Sequence, residues 1–223
     1  MKKTIGTFAV LISSLALGKD IPTIAVNGVG SISAKPDTMS IIANVETKNT
    51  NSQKAVEENN TIVKNAIELL KKDGLTDSNI KIENYNLNYR KDYNSKSDEM
   101  NYFVNNQIII TTKNLEKAGD LLGILNNSGV SNINNVNFFI SNKKELENKA
   151  YKLAYTDAKN KAKLIAKMDD FKISPKYIDL GYSNPRPYPV FNMTRANSSD
   201  VPVTIPESIS VTANINATFY MKK

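Results

Sequence analysis

The chain has 223 residues, 40% of them hydrophobic, which is enough for one large domain or two small domains with a buried core. Its 29 basic and 22 acidic residues give a formal net charge of +7. They are interspersed along the chain, so we predict no nucleic-acid partner. The chain has no Cys, His or Trp, which excludes Ser-His-Asp triads, thiol nucleophiles, thiolate zinc sites and Fe–S clusters. No phosphate-binding or calcium-binding motif occurs either, and we predict no catalytic residue, cofactor or metal.

Residues 1–18 have the pattern of a secretory signal peptide. Lys2 and Lys3 precede an apolar stretch from Ile5 to Leu17, and Ala16-Leu17-Gly18 forms a small-x-small cleavage site. The stretch is short for a membrane span, which needs about 20 residues. We therefore expect cleavage before Lys19, a periplasmic mature protein and no stable membrane span. The alternative is an uncleaved N-terminal anchor.

Hydrophobic periodicity and turn residues predict a regular order of elements up to Ile140. We predict strands at Ile24 to Ser33 and Met39 to Thr47, a helix from Asn51 or Ser52 to Asp73, strands at Ile80 to Tyr89 and Tyr102 to Thr112, a helix from Asn114 to Leu125, and a strand at Val136 to Ile140. The first two strands, joined by Lys35-Pro36-Asp37, are expected to form a hairpin. From Met39 onward the order is βαββαβ, the ferredoxin-like arrangement with helices packed on one face of an antiparallel sheet.

The remainder of the chain begins with a long predicted helix from Lys143 to about Met168, in which alanine recurs every four residues from Ala150 to Ala166. A strand is predicted around Tyr177 to Tyr182, then an irregular Pro-rich segment from Asn184 to Pro206 and a closing strand from Ile209 to Phe219. The predicted fold class is α+β: the ferredoxin-like core plus this long helix and further strands. We find no linker, so residues 19–223 are expected to form a single domain.

Three polar or small motifs have mainly structural interpretations. Gly28-Val29-Gly30 indicates a kink or a close approach of backbones in a strand. Asp157 and Lys161 are four residues apart on the predicted helix, which favours a surface ion pair over an acid and amine at a site. Asp37 follows Pro36 and is better explained as a turn residue than as a cation ligand.

Aromatic residues provide the candidate interaction sites. Tyr85, Tyr89, Tyr93 and Tyr102 surround a polar loop, where they could either contact partners or form cross-strand pairs. Tyr188 and Phe191 lie in the Pro-rich segment, which can present a stiff, partly apolar ridge. Both loops are long, as functional loops often are. We predict that a homo-oligomer forms through one of them.

Two stretches of the sequence match motifs of a known family: Ile24 to Gly30 followed by Lys35-Pro36-Asp37, and Ala154 to Ala162. They resemble the opening and the A-x-x-DA-x-x-KA helix of the SIMPL (DUF541) family. Asp73-Gly74-Leu75, the Gly129 turn and Phe138 occur between them, whereas Pro206-Glu207-Ser208 departs from the Pro-Gly turn of many relatives. The resemblance implies a periplasmic protein, because relatives include an immunogenic protein with ring-like assembly and an oxidative stress defence protein. It implies no catalytic residue.

The leading hypothesis from the sequence is an exported, non-catalytic envelope protein that assembles with itself or with an envelope partner. One alternative is a carrier of a small ligand, which would need a closed apolar pocket. The other is a hydrolase using carboxylate, lysine or serine groups, which would need such groups converging in a cleft with strongly shifted pKa values.

Overall fold

The computed structural model of the protein describes residues 21–92, 99–180, 187–190 and 203–223. Three α-helices lie in these ranges: α1 (Ser52–Lys72), α2 (Ala118–Ser128) and α3 (Lys143–Met168). The strands are β1 (Thr23–Ala34), β2 (Thr38–Asn49), β3 (Ile80–Lys91), β4 (Met100–Thr112), β5 (Asn132–Phe139), β6 (Lys172–Asp179), β7 (Pro187–Val190) and β8 (Ser208–Lys222). The predicted α+β class is confirmed.

Strands β2 to β5 form one antiparallel sheet, which we call sheet I, in the order β3-β4-β2-β5. This order and the connections through α1 and α2 confirm the predicted ferredoxin-like arrangement. Apolar residues of β2 and β4 alternate toward the helices, as in Ile41 and Ile108, and pack against α1 and α2 residues such as Leu70 and Leu121. Asn51 caps α1, accepting a hydrogen bond from the Lys54 amide at 3.0 Å.

The remaining strands form sheet II, in which β1, β6 and β7 all pair with β8. The predicted β1–β2 hairpin is therefore wrong, since β1 pairs with β8, from Thr23 opposite Tyr220 to Ala34 opposite Ile209. The connection between β1 and β2 passes from one sheet to the other. Asp37 fixes it by accepting hydrogen bonds from the Ser141 amide at 2.8 Å and the Ser141 hydroxyl at 2.7 Å.

Two further elements differ from the sequence expectations. The strand predicted around Tyr177 is β6, which begins earlier, at Lys172. The Pro-rich segment, predicted to be irregular, contains β7, whose four residues pair with β8 from Val190 opposite Ser208 to Pro187 opposite Val211. Proline has no amide proton to donate, so a short strand at the side of a sheet accommodates it best.

The alanine stripe of α3 packs on β1 and β8, as its spacing predicts. Ala150, Ala154, Ala158 and Ala162 are fully buried against apolar residues of β8 such as Phe219. The close approach predicted at the glycines of β1 is also present: a Cβ added at Gly28 would lie 2.1 Å from the Ala154 carbonyl oxygen, and one at Gly30 would lie 2.2 Å from the Ala150 carbonyl oxygen. Glycine on the strand and alanine on the helix therefore let the two backbones meet directly.

Candidate interaction surface

The candidate surface lies on β3, the last strand of sheet I. Helix α1 packs across β2 and β4. The side chains of β3 that point to this helical side therefore lie beyond the cover that α1 provides. The register identifies them, because residues opposite each other in an antiparallel pair point to the same face. Leu87 is opposite Val104 and Ile82 is opposite Ile108, and both of these β4 residues are fully buried.

An apolar stripe results, continuous with the core but open to solvent. Tyr85, Leu87 and Tyr89 are 56%, 43% and 57% exposed, and alternation along the strand places them on one face. We call the following set the β3 stripe: Ile82, Tyr85, Leu87, Tyr89, Met100 and Tyr102. Large aromatic and aliphatic side chains that are exposed together in this way mark interaction surfaces more often than isolated exposed residues do.

Tyr89 and Tyr102 form a cross-strand pair within the stripe. Their ring centroids are 4.5 Å apart with an angle of 36° between the ring planes. This confirms the cross-strand interpretation for these two tyrosines. Pairing also holds the Tyr89 ring in place on the strand, so less side-chain freedom would be lost when a partner covers it.

Two contacts of charged residues lie on the opposite face of sheet I. The Arg90 guanidinium lies 3.7 Å from the centroid of the Phe103 ring, which is a cation–π contact. On the neighbouring β2, the Lys48 ammonium contacts the buried carboxylate of Asp92 at 2.7 Å. Both contacts lie within the chain itself, on the face away from the apolar stripe, whereas Lys91, opposite Met100, lies on the same face as the stripe.

A β-bulge divides β3 into two parts. The register shifts between Glu83 and Asn86, and Asn84 has a φ of 58°, in the left-handed region that asparagine tolerates better than most residues. Bulges disturb strand pairing, so the part that follows, Asn86 to Lys91, is the regular segment of the edge. That segment carries Leu87 and Tyr89.

Side-chain hydrogen bonds cover the backbone of β1, an edge strand of sheet II. On β1, the Val29 amide donates to the Asp157 carboxylate at 2.9 Å, and the Lys161 ammonium donates to the Asn27 carbonyl at 3.2 Å. Asp157 and Lys161 also form the predicted i,i+4 ion pair at 2.6 Å. Hydrogen bonds from Lys161 and Val29 lower the pKa of Asp157 below its ordinary value. Among the described residues, no side chain forms such a bond to the backbone of β3 from Ile80 to Arg90.

The residues singled out from the sequence are distributed over both sheets. Tyr89 and Tyr102 pair in sheet I and Tyr85 lies on the same strand as Tyr89, whereas Tyr188 lies in β7 of sheet II, opposite Ser210. Tyr93 and Phe191 lie outside the described residues. Sequence reasoning missed Ile82, Leu87 and Met100 as members of the surface. Alternation assigned Ile82 and Leu87 to a strand but not to an exposed surface, because a sequence pattern cannot show where a helix stops covering a sheet.

The carboxylates with shifted pKa values have structural roles. Burial alone would raise the pKa of Asp37, but hydrogen bonds from Thr38 and Ser141 lower it below the ordinary value. The hydrogen bond and charge of Lys149 likewise lower the pKa of Glu145. Each shift stabilises the ionised form, the opposite of what a carboxylic acid that donates protons near neutral pH requires. No group of three or more acidic side chains suited to a metal occurs in the described part of the chain.

Two concave regions can be compared with the closed apolar pocket that a ligand carrier would need. A groove of about 1030 Å³ runs along α2 and β5, lined by both acidic and apolar residues, including Asp120, Leu122, Ile133 and Val136. A smaller cavity of about 220 Å³ lies where the end of β5 meets α3 and β8, beside Leu146 and Val211. The larger region is an open surface groove, whereas a carrier of an apolar ligand encloses most of its ligand.

Comparison with known proteins identifies the family. The family model described as SIMPL, protein of unknown function (DUF541), matches residues 24–219, from β1 through most of β8. None of the curated proteins matches the chain. None of the described helices combines the length and apolar character that a membrane span requires. The family match covers both sheets and all three helices, and the chain therefore belongs to the SIMPL (DUF541) family.

Proposed function

We propose that this SIMPL protein is a non-catalytic envelope protein that acts by self-assembly, with β3 of one copy pairing with β3 of a second copy. The observation that carries the proposal is the edge of β3, whose backbone from Ile80 to Arg90 accepts or donates no side-chain hydrogen bond among the described residues, beside an exposed apolar stripe. An edge strand presents unpaired N–H and C=O groups to another chain. Antiparallel pairing of identical strands places the same surface on both sides of a twofold axis, as in most homodimers.

The stripe supplies apolar burial to accompany these backbone hydrogen bonds. In a continuous sheet made by two copies, Leu87 and Tyr89 of each copy would lie near the same residues of the other. Fully burying a side chain such as leucine contributes about 1.5–3 kcal/mol. Tyrosine is also enriched among the residues that dominate binding energy at interfaces. A strand from a different envelope protein would fit the same edge, and the particle mass separates the two cases.

Substitution of Leu87 with lysine tests this assembly. Because Leu87 is 43% exposed, Leu87→Lys should leave the fold intact, with a thermal midpoint within a few degrees of the parent. It would place two like charges at the shared edge, and we expect the dissociation constant of the oligomer to rise by about thirtyfold or more. Light scattering after size-exclusion chromatography, on the chain beginning at Lys19, measures the change as a shift to monomer mass.

Ile178→Lys is the matched control, since Ile178 is 41% exposed on β6 of sheet II. It introduces the same charge on a strand of the other sheet and should leave the mass unchanged. Equal masses for the parent and the Leu87→Lys variant would contradict the proposal. An equal loss of assembly in both variants would show that added charge, and not the position on β3, disrupts the particle.

Export of the protein is a second part of the proposal, supported by the signal-peptide pattern of residues 1–18. A tagged chain expressed in a bacterial host should appear in the periplasmic fraction, with an N-terminus at Lys19 by mass spectrometry. Full-length protein retained in the inner membrane would contradict cleavage and would favour the anchor alternative.

A further inference from the structure

Helix α3 ends in an apolar surface that the described part of the chain leaves exposed. Its alanine stripe faces sheet II, whereas Leu164, Ile165 and Met168 are 65%, 49% and 74% exposed. Residues three and four apart are neighbours on a helix surface, so Met168 lies beside both of the others. Three large apolar side chains therefore project together at the end of a helix whose buried face is already filled by alanines.

Lysines lie on the neighbouring face of α3 and on the strands at the same end of the helix. Lys159, Lys163 and Lys167 follow one another at four-residue spacing along the adjacent face of α3. The chain returns at the same end of the helix, where Lys172 of β6 is opposite Lys222 of β8 and the Lys223 ammonium lies 5.5 Å from the centroid of the Phe171 ring. We call the following set the α3 tip: Leu164, Ile165, Met168, Lys159, Lys163, Lys167, Lys172, Lys222 and Lys223.

The charge of the α3 tip is not neutralised locally. Asp169 and Asp170 are the acidic residues of the turn between α3 and β6, so the balance of charged side chains is 6 − 2 = +4. Among the described residues, none of the six lysines forms an ion pair. Like charges four residues apart destabilise a helix. Lys167, in the last turn of α3, interacts favourably with the helix dipole, and Lys222 and Lys223 lie near aromatic rings. The repulsion between neighbouring lysines is not offset within the described residues, and an anionic partner would offset it.

We propose that the α3 tip binds the surface of an anionic phospholipid bilayer. Lysine ammonium groups would lie at the headgroup phosphates, while Leu164 and Met168 enter the boundary between headgroups and acyl chains. The apolar side chains favour a bilayer over nucleic acid, because a phosphate backbone offers them no apolar contact. This docking uses α3 and does not depend on assembly through β3.

Vesicle sedimentation tests whether the lysines of the α3 tip bind anionic lipid. The chain beginning at Lys19 retains every described helix and strand, and removes an apolar segment that could enter vesicles by itself. We expect it to bind phosphatidylglycerol vesicles at least about tenfold more strongly than phosphatidylcholine vesicles, with binding that weakens as salt is added. Free inorganic phosphate at millimolar concentration should not compete.

A pair of double variants locates the binding surface. Replacing both Lys163 and Lys167 with glutamine should weaken binding to the anionic vesicles by about tenfold or more. Replacing Lys54 and Lys64, two exposed lysines of α1, removes the same charge elsewhere and should change it by less than about twofold. Equal effects of the two double variants would overturn the assignment to the α3 tip, as would equal binding to both kinds of vesicle.

Tryptophan fluorescence tests whether the apolar side chains of the α3 tip enter the bilayer. The chain has no tryptophan, so Leu164→Trp creates a single reporter in the α3 tip. Its emission should shift to shorter wavelength on addition of phosphatidylglycerol vesicles and stay unchanged with phosphatidylcholine vesicles. Emission that does not shift while the protein sediments with the vesicles would overturn insertion at this site. Binding to double-stranded DNA without binding to vesicles would overturn the proposal as a whole.

Discussion

Replacing Gly28 with alanine is expected to lower the free energy of unfolding by about 3 kcal/mol or more, at or above the usual cost of overpacking a core. The added Cβ would lie 2.1 Å from the Ala154 carbonyl oxygen and 2.7 Å from the Ala158 Cβ. Neither atom can rotate away, because one belongs to the helix backbone and the other is fixed directly to it. Helix α3 would have to separate from β1, opening the seam that the alanine stripe fills.

Chemical denaturation measures the free energy of unfolding of the Gly28→Ala variant, and Gly123→Ala provides the control. Gly123 lies in α2, and a Cβ there would meet no atom within 4 Å. Alanine is favoured over glycine in a helix by about 0.8–1 kcal/mol, so this control should be slightly stabilising. Unfolding free energies that differ little between Gly28→Ala and the parent would mean that α3 does not lie on β1 at the distance described above.

Replacing Asn59 with alanine is expected to lower the free energy of unfolding by about 2–4 kcal/mol, through lost hydrogen bonds in the core of sheet I. Asn59 of α1 is fully buried. Its amide nitrogen donates to the carbonyls of Val45 and Val104, both at 3.1 Å, and its oxygen accepts from Asn106 at 2.7 Å. Alanine would leave two buried carbonyls and one amide without these partners, and each unsatisfied group is costly.

The neighbouring residue supplies the control for this substitution. Asn60 is exposed on α1, so Asn60→Ala should change the free energy of unfolding by less than about 0.5 kcal/mol. Both variants can be compared with the parent by urea denaturation at the same protein concentration. A loss at Asn59 as small as the loss at Asn60 would show that the buried amide does not connect α1 to β2 and β4.

Sequence patterns predicted correctly those elements whose caps and apolar spacing lie within a single helix or strand. The cap at Asn51 and the apolar positions of α1 are contained within one helix, and the alanine spacing of α3 identified its buried face correctly. The ferredoxin-like order also followed, because each connection from β2 to β5 joins elements close in sequence. The glycines of β1 indicated a close approach, although their partner on α3 could not be named.

Long-range pairing was the part that the sequence could not supply. The alternation in β1 is satisfied equally by β2 or β8 as a partner, and Pro36-Asp37 suggested the nearer one. In the structure Asp37 is bound to Ser141, more than a hundred residues away, and β1 lies in the other sheet. The candidate surface could not be predicted for the same reason, because the exposure of Leu87 depends on how far α1 extends across sheet I.

Hydrogen exchange of the β3 backbone is the most direct test of assembly through this edge. In a monomer the outward amides of Asn86 to Arg90 exchange with solvent, whereas pairing with a second copy would protect them. The proposal predicts that their protection rises with protein concentration in parallel with the particle mass, while β5, at the other edge of sheet I, stays unchanged. A particle mass that rises without protection of β3, or with new protection at another element, would contradict it.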